Sequence, residues 1–432
     1  MAEFHLLSPA GFRASGVYAG IKSKQAPDVG LLIADEPASA AAVFTTNRVF
    51  AAPVKVGRAH VKSGKLRGVV VNAGNANACT GKQGERDALR MCALAAKVAG
   101  ARPEQILPSS TGIIGHLLPM EKLERGILDA GQYLGSSREH ALLFADAILT
   151  TDLKRKSAAV QFKVGRERVT LAGVCKGSGM IGPRMSLEGA VDLGLKPRAS
   201  QRAATNLRAG RTSGTRAKHA TMLAYLTTDA QVAAPVLRKL LAGATEGSFN
   251  AVTVDDHMST NDTACLLASG ASGVAIARGA ALKSFGDALD EVCRALAYQI
   301  AADGEGATKV VAITVRRAKS QQIAQTIARA IANSPLVKCA MHGNDPNWGR
   351  IVSAAGLAGV PFDPDRAMLK LQGTAVFRAG RPLSFDAARA SKSLAAPQVD
   401  VDLDCNSGAA SATVWTCDLS KEYITINADY HT

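Results

Sequence analysis

The chemistry most open to a reading from residue types sits around Thr221, in the run Ala220-Thr221-Met222-Leu223-Ala224-Tyr225-Leu226. A threonine that opens a strand is ordinarily just a strand residue. A threonine exposed by scission of the peptide bond before it has a second capacity. Its new α-amine, with a reference pKa of about 7.7–8.0, can take the proton of its own hydroxyl as that oxygen attacks a carbonyl. Such an attack needs donors for the developing oxyanion. Ser109-Ser110-Thr111-Gly112-Ile113-Ile114-Gly115 sets hydroxyls beside a flexible glycine, so an O–H and a backbone N–H can converge on one oxygen. The same run also reads as a turn or a helix cap. Asp303-Gly304-Glu305-Gly306-Ala307-Thr308-Lys309 places a carboxylate between two glycines ahead of a strand. It reads either as a plain turn or as a substrate-facing acid at a strand mouth.

Other runs are weaker. Gly177-Ser178-Gly179-Met180-Ile181-Gly182 satisfies the dinucleotide pattern G-x-G-x-x-G after an expected strand. Pro183 follows at once, and no helix–strand–acidic continuation appears about 20 residues on, so a dinucleotide site is not expected. Residues 72–81 are rich in Gly and Asn, which tolerate positive φ, and form a tight loop that is either a structural turn or a cleft wall. The eight cysteines form no C-x-x-C pair and no Cys/His cluster with zinc spacing. Reduced thiols and a cytoplasmic location are expected.

These residues must be positioned by a mixture of strands and helices. Strands are predicted at 29–34, 40–45, 67–72, 158–164, 168–175, 221–227, 251–255, 308–315, 398–404, 411–417 and 422–427. Helices are predicted at 84–99, with Leu89, Cys92, Ala93, Ala96 and Val98 near one face, and at 138–149, 231–242, 281–300 and 318–333. The alternation predicts an α/β or α+β protein with sheets covered by helices. The chain has 432 residues, 47% of them hydrophobic, enough for one large core or two ordinary ones. No stretch approaches the ~20 apolar residues of a membrane span. The N-terminal residues carry no basic-then-apolar secretory pattern.

The net charge of +15 is unevenly placed. Residues 221–432 carry 19 Lys+Arg against 20 Asp+Glu, so the excess lies in residues 1–220 with 32 basic and 16 acidic side chains. Residues 186–219 concentrate it, with seven Lys or Arg against Glu188 and Asp192. Poor periodicity makes this segment a surface loop or insertion. It has no interleaved aromatics for base stacking, so a nucleic-acid arm is not favoured.

Taken in order, the motifs resemble those of the ornithine acetyltransferase (bifunctional glutamate N-acetyltransferase) family, and the resemblance spans nearly the whole chain. It runs through Pro9-Ala10-Gly11-Phe12-Arg13, Phe44-Thr45-Thr46-Asn47-Arg48, the loop at 72–79, Ser110-Thr111-Gly112, Lys176-Gly177-Ser178-Gly179-Met180 and Ala220-Thr221-Met222-Leu223. Ser259-Thr260-Asn261-Asp262-Thr263, residues 303–309, His342-Gly343-Asn344-Asp345-Pro346-Asn347-Trp348-Gly349-Arg350 and Asn427-Ala428-Asp429-Tyr430 complete it.

The resemblance implies stacked β-sheets flanked by helices, of the ornithine acetyltransferase/aminopeptidase-like fold, with a smaller C-terminal domain. It implies self-cleavage between Ala220 and Thr221 into chains 1–220 and 221–432, assembled as α2β2. Thr221 would carry the acetyl group from N-acetylornithine to glutamate in ping-pong fashion. Thr111 and Gly112 would hold the oxyanion. Thr150 or its neighbour Thr151, Lys176, Thr221, Glu305, Asn427 and Thr432 match substrate-binding positions, with Lys176 paired to an α-carboxylate and Glu305 to an ammonium. No metal or organic cofactor is implied, although some members also take the acetyl group from acetyl-CoA. Neither membrane nor nucleic acid is an expected partner.

The sequence departs from the family pattern in three places. Residues 186–219 interrupt the usual approach to Thr221, so that 45 positions separate it from Lys176. His219 stands where Met is usual, and Leu153 where a third Thr is frequent. Two other readings remain open from the residues. One is an amidase or aminopeptidase that passes the acyl group to water. The other is an unprocessed, non-catalytic relative whose basic segment binds nucleic acid.

Overall fold

A computed structural model describes residues 4–189 and 221–428. Its larger sheet has nine strands: β1 (Phe12–Val17), β2 (Val29–Thr45), β3 (Lys65–Asn75), β4 (Ile106–Ile113), β5 (Lys156–Val164), β6 (Glu167–Lys176), β7 (Met185–Ser186), β8 (Leu223–Thr228) and, after the short β9 (Gln231–Val232), β10 (Thr263–Ala268). The order is β4-β3-β2-β10-β8-β6-β5, with β1 and β7 also paired to β2. Strands from both sides of Thr221 therefore share one sheet. Among the described residues β9 pairs with β11 (Ala275–Ile276) alone.

The long β2 shows why this sheet is buried on both faces. Leu32, Ala40, Ala42 and Phe44 enter one apolar cluster, with Phe144 of α4 (Arg138–Ala147). Alternate residues point the other way. Leu31 and Ile33 meet Met91 of α2 (Gly81–Ala99; α1 is Ala52–His60) and Ile127 of α3 (Met120–Gln132). Ala41 and Val43 join Leu237 of α5 (Ala234–Glu246) and Leu289, Val292 and Leu296 of α6 (Gly279–Ala302). Truncating a side chain such as Leu296 to Ala here should cost about 2–5 kcal/mol.

The smaller, six-stranded sheet has the order β15-β14-β13-β16-β12-β17. It comprises β12 (Val310–Ala318), β13 (Met368–Leu371), β14 (Thr374–Arg378), β15 (Arg381–Pro382), β16 (Gln398–Asp404) and β17 (Ala410–Cys417). It packs on α7 (Gln321–Asn333), α8 (Pro335–His342) and α9 (Trp348–Gly356) around Val311, Ile313, Ile327, Ile331 and Val401. This is the smaller C-terminal layer that the fold class called for, an α/β arrangement of helix-covered sheets. α10 (Ala387–Ser393) and α11 (Lys421–Ala428) complete the helices among the described residues.

Several element expectations are corrected. The segments at 29–34 and 40–45 are one strand, carried across a register shift between Ile33 and Ala38. Residues 251–255 are not a strand. A 3-10 turn (Phe249–Ala251) leads to an isolated bridge from Val252 to Trp415, and the next N–H groups go to Trp415 and Ile181 carbonyls. Residues 422–427 are helical, within α11. The β-branched run Ile424-Thr425-Ile426 suggested a strand, but helical spacing puts Tyr423 and Asn427 on one side, where both find carboxylate partners. In α2 the buried face is Ala88, Met91, Cys92, Ala95, Ala96 and Ala99, while Leu89 is exposed.

Candidate active site around Thr221

Thr221 lies two residues before the start of β8 and is 2% exposed. Its Oγ1 lies 2.9 Å from Ser259 Oγ. Met222 donates its N–H to Asp262 Oδ1 at 2.9 Å and accepts at its carbonyl from Thr263 N–H at 3.1 Å. Lys176, Leu223 and Thr263 are register partners across β6, β8 and β10, so the end of β6 borders the threonine. Asp262 is fully buried and its Oδ2 makes no hydrogen bond. Burial pushes its carboxyl up to about 7, against the N–H groups of Met222 and Ser259 and the Lys176 charge, which favour the ionised form.

Thr111 and Gly112 lie near the end of β4, beside Ala73 and Gly74 of β3. Gly112 has φ +136°, and a Cβ there would stand 2.2 Å from the Gly74 carbonyl carbon. Only glycine allows this strand end to fold so tightly against its neighbour. Thr111 Oγ1 is buried without a hydrogen-bond partner, unusual for a hydroxyl and consistent with one reserved for another oxygen. Asn261 joins this strand end to the threonine. Its Nδ2 donates to the carbonyls of Ala76 at 2.8 Å and Ser110 at 2.9 Å, and its N–H donates to Ser259 Oγ at 3.2 Å. The Gly/Asn run, expected as a loop from residue 72, stays in β3 to Asn75 before it turns, and it acts as a buttress. Asn72 accepts from Ser110 Oγ at 2.6 Å.

Lys176 is fully buried, and its Nζ donates to Thr150 Oγ1 at 2.7 Å. It also lies 3.6 Å from Asp152 Oδ2. Burial lowers its ionisation, while Asp152 pulls the other way. Asp152 in turn accepts from Lys156 Nζ at 2.7 Å and Gly177 N–H at 2.6 Å. Lys156 Nζ also reaches Asp303 Oδ2 at 2.5 Å. Burial alone would raise the Asp152 carboxyl, but the two ammonium groups and the N–H bonds hold it well below the usual carboxylate range. Two lysines and two aspartates thus form a neutral buried set behind Thr150.

Glu305 follows α6 and is 7% exposed. Its N–H donates to the Ser178 carbonyl at 2.9 Å, and its Oε2 accepts from Asn427 Nδ2 at 3.1 Å. Gly179 packs flat on the carboxyl, with room for no Cβ, which would lie 2.3 Å from Oε2. Burial raises Glu305, moderated by Asn427, by the adjacent Thr151 hydroxyl and by the charge of Lys176. Thr151 Oγ1 makes no hydrogen bond of regular geometry.

The structure therefore gathers Thr221, Thr150, Lys176, Glu305 and Asn427 around the β6–β8 strand ends, with Thr111 and Gly112 tied in through Asn261. Ala220 and Thr432 lie outside the described residues, as do residues 190–219 of the basic segment. The G-x-G-x-x-G run leads not into a helix but into the two-residue β7, and Asp255 accepts the N–H groups of Met180 at 2.7 Å and Ile181 at 2.9 Å. That is not a dinucleotide cradle. Sequence reasoning missed Asp152, Lys156, Asp303 and the parts played by Ser259 and Asp262. The Ser259–Thr263 run was visible as a motif, but its contact with Thr221 is made across 38 residues.

Chemically, the site offers the buried Thr221 hydroxyl, the unpartnered Thr111 hydroxyl with a neighbouring glycine N–H, the Lys176 amine and the Glu305 carboxyl. That set suits acyl transfer to and from a small zwitterionic molecule. Among the described residues no helix is long and apolar enough to cross a membrane, and no group of three or more His, Cys, Asp or Glu side chains could hold a metal ion.

Residues 13–432 match the family model described as the ArgJ family. The chain is 43% identical over 429 residues to an arginine biosynthesis bifunctional protein of Symbiobacterium thermophilum, covering 98% of each chain. It is 41% identical over 427 residues to the protein of that name from Lactococcus lactis, again covering 98% of each. A solved structure of Mycobacterium tuberculosis ornithine acetyltransferase, complexed with ornithine, is 36% identical over 42% of this chain and 96% of its own, with a TM-score of 0.40.

Proposed function

Because the chain belongs to the ArgJ family, we propose that it moves an acetyl group from N-acetylornithine to glutamate in arginine biosynthesis, through an ester on Thr221. The observation that carries this reading is the buried Thr221 hydroxyl just ahead of β8, next to the end of β6 that carries Lys176, with Glu305 close enough to feel the Lys176 charge.

The peptide bond between Ala220 and Thr221 is hydrolysed first, in the chain's own maturation, with water leaving a carboxylate on Ala220 and a free α-amine on Thr221. In the first half-reaction Thr221 Oγ1 bonds to the acetyl carbon while its proton passes to that amine. Thr111 Oγ1 and Gly112 N–H donate to the resulting oxyanion. Collapse breaks the C–N bond, and the proton goes on to the departing amine of ornithine. Glutamate then attacks the ester by the reverse path.

Lys176 keeps donor capacity beyond Thr150 for an α-carboxylate, and Glu305 accepts from a substrate ammonium. Thr150, Asn427 and Thr432 complete the substrate contacts. Acetyl-CoA would serve as a second donor, with no metal or organic cofactor required. The cleaved chains stay together as α2β2 in the cytoplasm.

The test is an assay with N-[14C]acetylornithine and glutamate, separating N-acetylglutamate from free acetate. Labelled N-acetylglutamate with ping-pong kinetics is expected. Label released only as acetate would make the protein an amidase instead.

A further inference from the structure

Ser259 is the side chain in contact with the Thr221 hydroxyl, and nothing said so far gives it a chemical task. The two oxygens are 2.9 Å apart and both residues are buried, Ser259 completely. Ser259 is held from two directions, and a residue that follows it braces the neighbour of the nucleophile. Its carbonyl accepts from Thr45 Oγ1 at 2.7 Å, its Oγ accepts from Asn261 N–H at 3.2 Å, and Asp262, three residues on, fixes Met222 beside the nucleophile at 2.9 Å. A serine that merely fills space has no need of such bracing.

Either hydroxyl can donate in the shared hydrogen bond, and what each oxygen already accepts favours one direction. Ser259 Oγ accepts from Asn261, whereas Thr221 Oγ1 accepts from no other group among the described residues. Donation from Ser259 to Thr221 satisfies both oxygens and leaves the Thr221 proton unshared. A donor so placed gains strength as its acceptor becomes negative. That is the condition for accelerating attack rather than merely binding the ground state.

On the reading of Thr221 as nucleophile, we infer that Ser259 is a catalytic residue that donates a hydrogen bond to Thr221 Oγ1, holding that oxygen and stabilising the negative charge it gains as its own proton leaves. No proton is transferred from Ser259. Its O–H stays bonded and the hydrogen bond strengthens. In acetyl transfer the Thr221 proton goes to its own α-amine and on to the departing ornithine nitrogen. The new bond is Thr221 Oγ1 to the acetyl carbon, and the bond broken is that carbon's bond to the ornithine nitrogen. The same donor acts in self-cleavage. There Thr221 Oγ1 attacks the Ala220 carbonyl carbon, and the Ala220–Thr221 C–N bond breaks as the hydroxyl proton passes to the freed nitrogen. Water then hydrolyses the resulting ester.

The test uses the full chain as Ser259→Ala and Ser259→Cys. The cysteine fills the serine's space but is a weak donor. Cleavage is followed by intact mass against time after synthesis, and turnover by the acetyl-transfer assay, with thermal melting as the check on folding. The expected result is that both variants slow cleavage and kcat by on the order of 10²-fold, the lower end of the loss on removing one oxyanion donor, and melt within a few degrees of wild type. Full activity in Ser259→Cys beside a slow Ser259→Ala would reduce Ser259 to packing. Wild-type rates in both would also overturn the proposal. If Ser259→Ala does not fold, the isosteric cysteine variant decides alone. A wild type that neither cuts itself nor transfers acetyl would instead defeat the nucleophile reading on which this inference rests.

Discussion

Replacing Asp152 by Asn removes one charge from a buried, neutral set of four. Asp152 sits between Lys156 at 2.7 Å and Lys176 at 3.6 Å, with Asp303 as the second anion. The amide keeps the shape but leaves two ammonium groups facing one carboxylate. Breaking a buried ion pair in this way costs about 3–5 kcal/mol, most of it the cost of the uncompensated charge. Adding Lys156→Met restores neutrality, so the double variant should recover a large part of the loss rather than add to it.

The pH dependence has a definite sign. The folded Asp152 carboxyl lies below its unfolded value, so its contribution is fully present above the ordinary carboxylate range. It is lost as pH falls through the folded value. Asp152→Asn should therefore flatten the acid limb of the stability curve. Lys176 should also respond. Asp152 favours its charged form against burial, so without Asp152 the ammonium is lost at lower pH. The KM of an α-carboxylate substrate should then begin to rise at lower pH than in wild type. Urea denaturation followed by far-UV circular dichroism across pH, with KM measured over the same range, reads both effects. A loss below about 1 kcal/mol, additive single and double variants, and an unmoved KM profile would refute the reasoning.

Gly112→Ala puts a Cβ 2.2 Å from the Gly74 backbone at φ +136°. It should lower the melting temperature and cost at least about 10²-fold in kcat through a displaced oxyanion donor, read by calorimetry and the transfer assay. Glu305 is raised by burial, so wild-type KM should fall as pH rises through its ionisation and the carboxylate becomes available to an ammonium. Glu305→Gln should abolish that limb and raise KM by about tenfold, the loss of one charge-assisted bond, read by KM against pH.

Much of this architecture was legible because local pattern and tertiary placement agree. Alternating or continuous apolar runs marked β3, β6, β12 and β16, and long amphipathic periodicity marked α6 and α7. The reading failed where a segment's conformation is set by partners distant in sequence. Ile424-Thr425-Ile426 has strand chemistry, yet it is helical where Tyr423 reaches Asp255 at 3.3 Å and Asn427 reaches Glu305. Leu89 looks like a core residue, but Ala88, Met91 and Cys92 hold the buried face of α2. In the site, Thr111 stood out beside serines and a glycine and Thr221 as a threonine opening an apolar strand run, whereas Lys176 entered only through the family resemblance. Asp152 had no such signal. It is one aspartate in a loop, and its importance arises only when Lys156, Lys176 and Gly177 fold around it.

The central claim is that Thr221 becomes a free N-terminal nucleophile. Denaturing electrophoresis and intact mass of purified wild type beside Thr221→Ala test it most directly. The account predicts two fragments divided between Ala220 and Thr221 in wild type and one uncut 44.8 kDa chain in the variant. A wild type that stays whole would contradict it.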